Sequence, residues 1–328
     1  MFIKNLFPKP WKGATYLPIL AIAALLVSTC QQLPATPKGQ CVLASYVDTS
    51  GQEFVLPYNL SEPEIVLNLP GKLKEISGLS MSSLSDQLLA VQDEKGIIFS
   101  IDTKTGAITK EQRFWKDGDY EGIEWVDGFI YVVKSSGTIY KVHPDSLDID
   151  ASEKFNTFLK PENDVEGLAY DPINRKLLLA CKAKAGEGEN FRMSRSIYAF
   201  DIDKKVLEPD PQYCIKLEQI NEYLATDPFI RKLEKLNELF APTEPEFSFS
   251  PSAIARHPFS GDYYLLSSVS KILLILAPDG KIKHIEKLKK SVHPQPEGIC
   301  FGSKGELFVS NEGKGGYGKI SKFNFSGQ

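Results

Sequence analysis

Four acidic steps recur along this chain: Glu75-Ile76-Ser77-Gly78, Tyr120-Glu121-Gly122, Val165-Glu166-Gly167 and Pro296-Glu297-Gly298. Asp119 and Asp164 stand two residues ahead of Glu121 and Glu166. Carboxylates gathered at one place repel each other, so a fold that collects them neutralises them with protons, lysines or a hard cation. Among metals, calcium suits such a set, because it takes about six to eight oxygen ligands in loose geometry and needs neither His nor Cys. A structural role competes with this: each glutamate can hydrogen-bond a neighbouring backbone and hold a repeat in register. Catalysis is the third use, as metal-dependent hydrolysis with Glu121, Glu166 and Glu297 as ligands and Lys134 or Lys182 as electrostatic support.

The elements that must position these residues are strands. Each step opens a segment of about 45 residues, and a fifth, Ser250-Pro251-Ser252-Ala253-Ile254, opens the same kind of segment without a glutamate. Behind each lead comes a turn rich in Asp, Gly, Pro or Ser, and then an apolar strand such as Phe129-Ile130-Tyr131-Val132-Val133 or Lys176-Leu177-Leu178-Leu179-Ala180. A third strand follows, as in Ser196-Ile197-Tyr198-Ala199-Phe200. Three or four short antiparallel strands at that period are the blade of a β-propeller, all-β in class, with five blades or alternatively six. Pro63 to Leu69 supplies a strand that completes the final blade and protects both terminal edges. The 85-residue gap between Gly167 and Ser252 holds apolar residues three or four apart over about 216–245, which predicts a helical insert after the third blade.

In that architecture the first strand of each blade lines the channel, and the loop after the second strand returns to the same face. Two sets of side chains then meet at one mouth. The first is Glu75, Glu121, Glu166 and Glu297 with Asp119 and Asp164; the second comes from the returning loops and includes Asp93, Glu94, Lys134, Lys182, Asn311 and Glu312. A carboxylate-lined face of this kind binds a cation, a small ligand or a protein partner. A purely structural interaction scaffold is the remaining alternative.

Other chemistry finds little footing. His143, His257 and His293 each precede a proline and His284 lies on a polar stretch, so none reads as a ligand or base, and no nucleophile elbow, phosphate-binding glycine loop or HEXXH helix occurs. The net charge of −4, with no basic stripe interleaved with aromatics, argues against a nucleic-acid partner. Cys41, Cys181, Cys214 and Cys300 lack the short spacing of a zinc site and read as buried small hydrophobes.

The first 29 residues read as an address. Lys4, Lys9 and Lys12 precede an apolar run from Leu17 to Val27, and Ser28-Thr29-Cys30 follows. This is the layout of a secretory signal. Leu26-Val27-Ser28-Thr29-Cys30 resembles the lipobox of bacterial lipoproteins, departing from it at Thr29. The resemblance implies acylation at Cys30, a tether over 30–52, and a propeller over 53–328 held to a membrane of the bacterial cell envelope.

The leads taken together, including Asp164-Val165-Glu166-Gly167-Leu168-Ala169-Tyr170-Asp171 and Gln295-Pro296-Glu297-Gly298-Ile299, resemble those of the SdiA-regulated family over about Tyr58 to Phe325. The resemblance implies an envelope propeller, related at a distance to calcium-dependent phytase-like propellers, with no agreed biochemical activity. Pro251-Ser252 stands where a phytase reading needs an acid, and dense basic clusters are lacking, so a phosphoesterase or a lactonase is the alternative and not the first expectation.

Overall fold

The computed structural model describes residues 54–327, apart from 85, 147, 227–233 and 242–246. Cys30, Cys41 and the apolar leader lie outside the described residues, as do Pro228, Ile230, Leu233, Pro242 and Pro245 of the expected insert.

Five antiparallel sheets form the blades. Blade I runs from Ile76 to Arg113, blade II from Tyr120 to Phe155 and blade III from Val165 to Lys216. Blade IV runs from Ala253 to Lys287. Blade V joins the chain's last strands, Pro296–Phe301, Leu307–Asn311 and Lys319–Phe323, to its first, Ile65–Asn68. That closing strand pairs antiparallel with the last one, Leu67 opposite Ile320, as the sequence predicts. The first and last described strands thereby share one sheet, which closes the ring.

The first strands of the blades pack on one another in order around the ring and form the channel wall. Side chains alternate between the two faces of every sheet, so each blade presents apolar residues to both neighbours. Five buried clusters result, one at each blade interface; Leu89, Val91, Ile123 and Val132 join blades I and II, and Leu67, Leu79, Phe99 and Phe308 join blades V and I. The hairpin between the first two strands of blade II turns on Asp127 and Gly128, with φ of 49° and 86°. Two positive φ values are what a two-residue turn needs to match strand twist.

The insert contains two helices, Leu217–Thr226 and Glu234–Leu239. The side chain of Gln219 accepts the backbone N–H of Lys216 at 3.0 Å, satisfying a donor at the first helix's N-terminus. Ile220, Tyr223, Leu224, Leu236 and Phe240 enter the core between blades III and IV. None of the described insert residues lines the channel.

Two expectations change. Cys181 and Cys300 are buried free thiols, but Cys214 is disulfide-bonded and is not a packed hydrophobe alone. The fourth lead also shifts by one residue. Gly167 packs against Ile254, as Gly122 packs against Leu168, so Ala253, and not Ser252, occupies the glycine position. The spacing from Ala253 to Gly298 is then 45 residues, in line with the other repeats.

Candidate functional site

The glutamates of blades II, III and V sit in β-bulges. The pairing of the first and second strands slips between Tyr120 and Gly122, between Val165 and Gly167, and between Pro296 and Gly298. A bulge places two residues opposite one and re-aims the extra side chain. Glu121, Glu166 and Glu297 are the extra residues, and all three line the channel. The following glycine makes room for this. A Cβ on Gly122 would lie 2.6 Å from the Cβ of Leu168, and one on Gly298 would lie 2.5 Å from the carbonyl of Ser77.

Blade I bulges in the same place, between Ile76 and Leu79, but the residue before its glycine is Ser77. Glu75 belongs one step further out, level with Asp119, Asp164 and Gln295. With the corrected register of blade IV, the residues before the glycine position read Ser77, Glu121, Glu166, Ser252 and Glu297 in blade order; the three glutamates line the channel, whereas Ser252 Oγ donates to the Pro296 carbonyl at 2.8 Å. Sequence reasoning grouped Glu75 with the other glutamates although it stands three residues before its glycine and they stand one before theirs.

The returning loops meet the leads as the architecture requires. Ser135 N–H donates to the carbonyl of Asp119 at 3.1 Å, Lys182 N–H to that of Asp164 at 2.7 Å, and Glu312 N–H to that of Gln295 at 3.0 Å. The equivalent positions in blades I and IV are Asp93 and Ser268. Of the loop residues singled out, Lys182 reaches the channel glutamates, its Nζ 2.6 Å from Glu166 Oε1. Lys134 instead lies over the ring of Tyr120, 5.6 Å from its centre. Glu94 is exposed, and its carbonyl accepts from Gly118 N–H at 3.0 Å. Asn311 is buried and accepts the Gln295 N–H at 3.3 Å, while the Gln295 side chain donates to Glu312.

Protons and Lys182 neutralise part of this charge. Burial first, then the charge of Glu166 and a hydrogen bond with Asp119, hold Glu121 well above the usual carboxylate range. Burial raises Glu166 as well, although Lys182 pulls it back. Glu297 is raised by burial against the opposing pull of Lys182, and burial together with Glu297 pushes Glu312 up to about 7. Asp93 and Asp164 are raised chiefly by burial. Burial works against the charge of Lys182, but Glu166 more than offsets it and the ammonium is held above its ordinary value.

Three buried atoms at this end of the channel lack hydrogen-bond partners: Glu297 Oε2, Asp93 Oδ1 and Asn311 Nδ2. Buried polar atoms are rarely left so, because an unmade bond costs about 1–3 kcal/mol. The neck that Glu297 lines with Glu121 and Glu166 is narrow, a cavity of about 10 Å³. That is room for about one water or ion. One level deeper, Glu124 accepts a hydrogen bond from Ser80 Oγ at 3.0 Å, and burial pushes it up to about 7.

Fold and site define a five-bladed β-propeller with an acid-bearing channel mouth. Residues 60–186 match the SdiA-regulated family, the one its repeated leads resemble. No curated protein matches the chain. Among solved structures, it is similar to a chain of a nidogen/laminin complex, with 14% identity, TM-score 0.44 and 72% of each chain covered. A luciferin-regenerating enzyme shares 11% identity over 80% of this chain and 95% of its own, with TM-score 0.46. The PQQ-bound aldose sugar dehydrogenase of Streptomyces coelicolor shares 12% identity over 80% and 97%, with TM-score 0.45. Likenesses of this size carry no inference about ligand or reaction.

Proposed function

We propose that this protein is an exported, membrane-anchored propeller that binds a cationic ligand at the mouth of its channel. The observation that carries the binding reading is Glu297 Oε2, an oxygen of a side chain only 7% exposed, without a partner and facing a neck the size of one ion. Glu121 and Glu166 line the same neck and Glu312 lies close enough to feel the charge of Glu297, and several of these carboxyl groups hold protons that a cation would displace.

A fully dehydrated calcium cage does not fit these residues. Among the described residues no three His, Cys, Asp or Glu side chains form a group that could hold a metal ion, and Lys182 already occupies Glu166. The supported ligand is therefore a cation that keeps part of its water shell, or an ammonium group, with Glu297 as its main anchor. Export and anchoring rest on the apolar run ahead of Cys30, and a disulfide at Cys214 suits an oxidising compartment.

Calorimetric titration of the purified full-length protein with calcium, magnesium and methylammonium chloride tests the binding. Saturable heat with proton release is expected for at least one of them, weakened at least tenfold by Glu297→Gln. Flat titrations with all three would exclude the reading. For the anchor, Cys30→Ser is expected to release the protein from membranes, and unchanged retention would rule acylation out.

A further inference from the structure

Residues 54–60 belong to no strand or helix, yet they close the seam between blades IV and V. Phe54, Leu56, Tyr58 and Leu60, every second residue, pack into the cluster that Leu266 and Leu273 of blade IV form with Ile299 and Val309 of blade V. Two buried histidines hold this segment. His257, 2% exposed, follows the first strand of blade IV, and its Nε2 lies 3.0 Å from Tyr58 OH. His293, wholly buried, precedes the first strand of blade V, and its Nε2 lies 2.9 Å from the Leu60 carbonyl.

Both rings are neutral by the logic of their partners. A carbonyl accepts and does not donate, so His293 carries its proton on Nε2, and its bare Nδ1 has no partner. Nδ1 of His257 accepts from the N–H groups of Phe259 and Ser260 at 3.3 and 3.1 Å, so the proton of that ring is also on Nε2. A second proton on His257 would aim an N–H at two N–H groups. On His293 it would bury a charged donor with nothing to meet, against the Phe323 ring stacked 5.5 Å away. The charged groups around them are few. Asp262 favours a charge on His257 and Lys283 opposes it, and these two pair with each other at 2.8 Å; Tyr264 and Glu306 act on Tyr58 from the same seam. The elements meeting His293 carry Glu62 and Glu64, the latter 3.7 Å from Lys322, and the exposed Lys289 and Lys290 of its own loop. Burial lowers both histidines below their ordinary range.

We propose that residues 54–60 are an acid-released strap: when His257 and His293 each take a second proton, the strap lifts and uncovers the aromatic seam of Tyr264, Phe301 and Phe325. A base whose folded pKa is lowered contributes stability that is complete above about pH 6.5 and is lost as pH falls below it. The raised carboxyls of the mouth act in the opposite sense, so acid opens the strap while the ring itself holds. The strap is the part free to yield, because it pairs with no described strand; its Pro57 carbonyl accepts from Ser326 N–H at 3.0 Å.

Nitroxide labels on Val55→Cys and Ile173→Cys, at sites 78% and 76% exposed, read the strap in the full-length protein by pulsed electron double resonance. One narrow distance is expected at pH 7.5, and at pH 5.0 a second, broad population grown at least fivefold. His257→Gln combined with His293→Gln is expected to abolish that rise, and His143→Gln, at an exposed histidine, to keep it. Unchanged distances in the otherwise wild-type protein, or the same rise in the double variant, overturn the strap. If the double variant does not fold, imidazole NMR of the wild-type protein decides: both rings are expected to take up a proton over the pH interval in which the strap lifts, and lifting with both rings neutral overturns the proposal.

Discussion

Around Tyr58 and His257, in the seam between blades IV and V, the hydrogen-bonding atoms of both side chains have partners. Tyr58 OH donates to the carbonyl of Gly305 at 2.7 Å and lies 3.0 Å from His257 Nε2, while His257 Nδ1 accepts from Ser260 N–H at 3.1 Å. Rings of Tyr264, Phe301 and Phe325 enclose the pair. At the channel mouth, by contrast, Glu297, Asp93 and Asn311 are left with unpaired atoms and with carboxyl groups held above their ordinary range. The Tyr58–His257 pair is polar and fully partnered; it holds two blades together. The mouth is polar and incomplete, which is the physical sign of a place where something else belongs.

That contrast predicts a gradient of effects. Tyr58 is 4% exposed, so Tyr58→Ala empties a large buried volume and unpairs His257. A loss of about 3–5 kcal/mol is expected in denaturant unfolding; less than about 1 kcal/mol would show that the seam is not a fastening. Gly298→Ala is next, because the added methyl meets the Ser77 carbonyl and Ser310 Oγ. A cost of about 1–3 kcal/mol is expected, along with loss of ligand binding as the bulge shifts.

Glu121→Gln separates the regions by sign. A carboxyl whose folded pKa is raised binds its proton more tightly in the fold, so stability declines as pH climbs from the ordinary carboxylate range through the raised value. Without ligand, the wild-type protein is expected to lose Tm between pH 5 and pH 8. Glu121→Gln should recover on the order of 1 kcal/mol at pH 8 and leave pH 5 nearly unchanged. An identical pH dependence in both proteins would mean that Glu121 is charged in the fold. The smallest effect belongs to the solvent-facing ion pair Lys72–Glu111, 2.7 Å apart. Lys72→Ala should change stability by less than about 1 kcal/mol, and salt should reduce even that.

Much of the fold is legible in the sequence for a simple reason. Period, turn residues and alternating apolar strands are local, and a propeller repeats a local unit, so counting from Gly78 to Gly122 to Gly167 finds the blades. The closing strand at Ile65–Asn68 is legible too, because an unpaired apolar strand ahead of the first repeat has one sheet edge left to fill. The insert's helices follow from apolar spacing alone.

The site is less legible. Glu75 and Glu121 both open a lead, yet Glu121 is the bulged residue of blade II and lines the channel, while Glu75 lies ahead of blade I's bulge and is exposed. Lys134 and Lys182 are both loop lysines, yet the first lies against Tyr120 and the second pairs with Glu166. By itself the sequence determined the repeat, the ring closure and which residues come to one end of it, because these depend on neighbours along the chain. Which carboxyls become buried, which lysine meets them and which atoms go without a partner was decided by strand register and by contacts between blades, and those distances exist only in the closed ring.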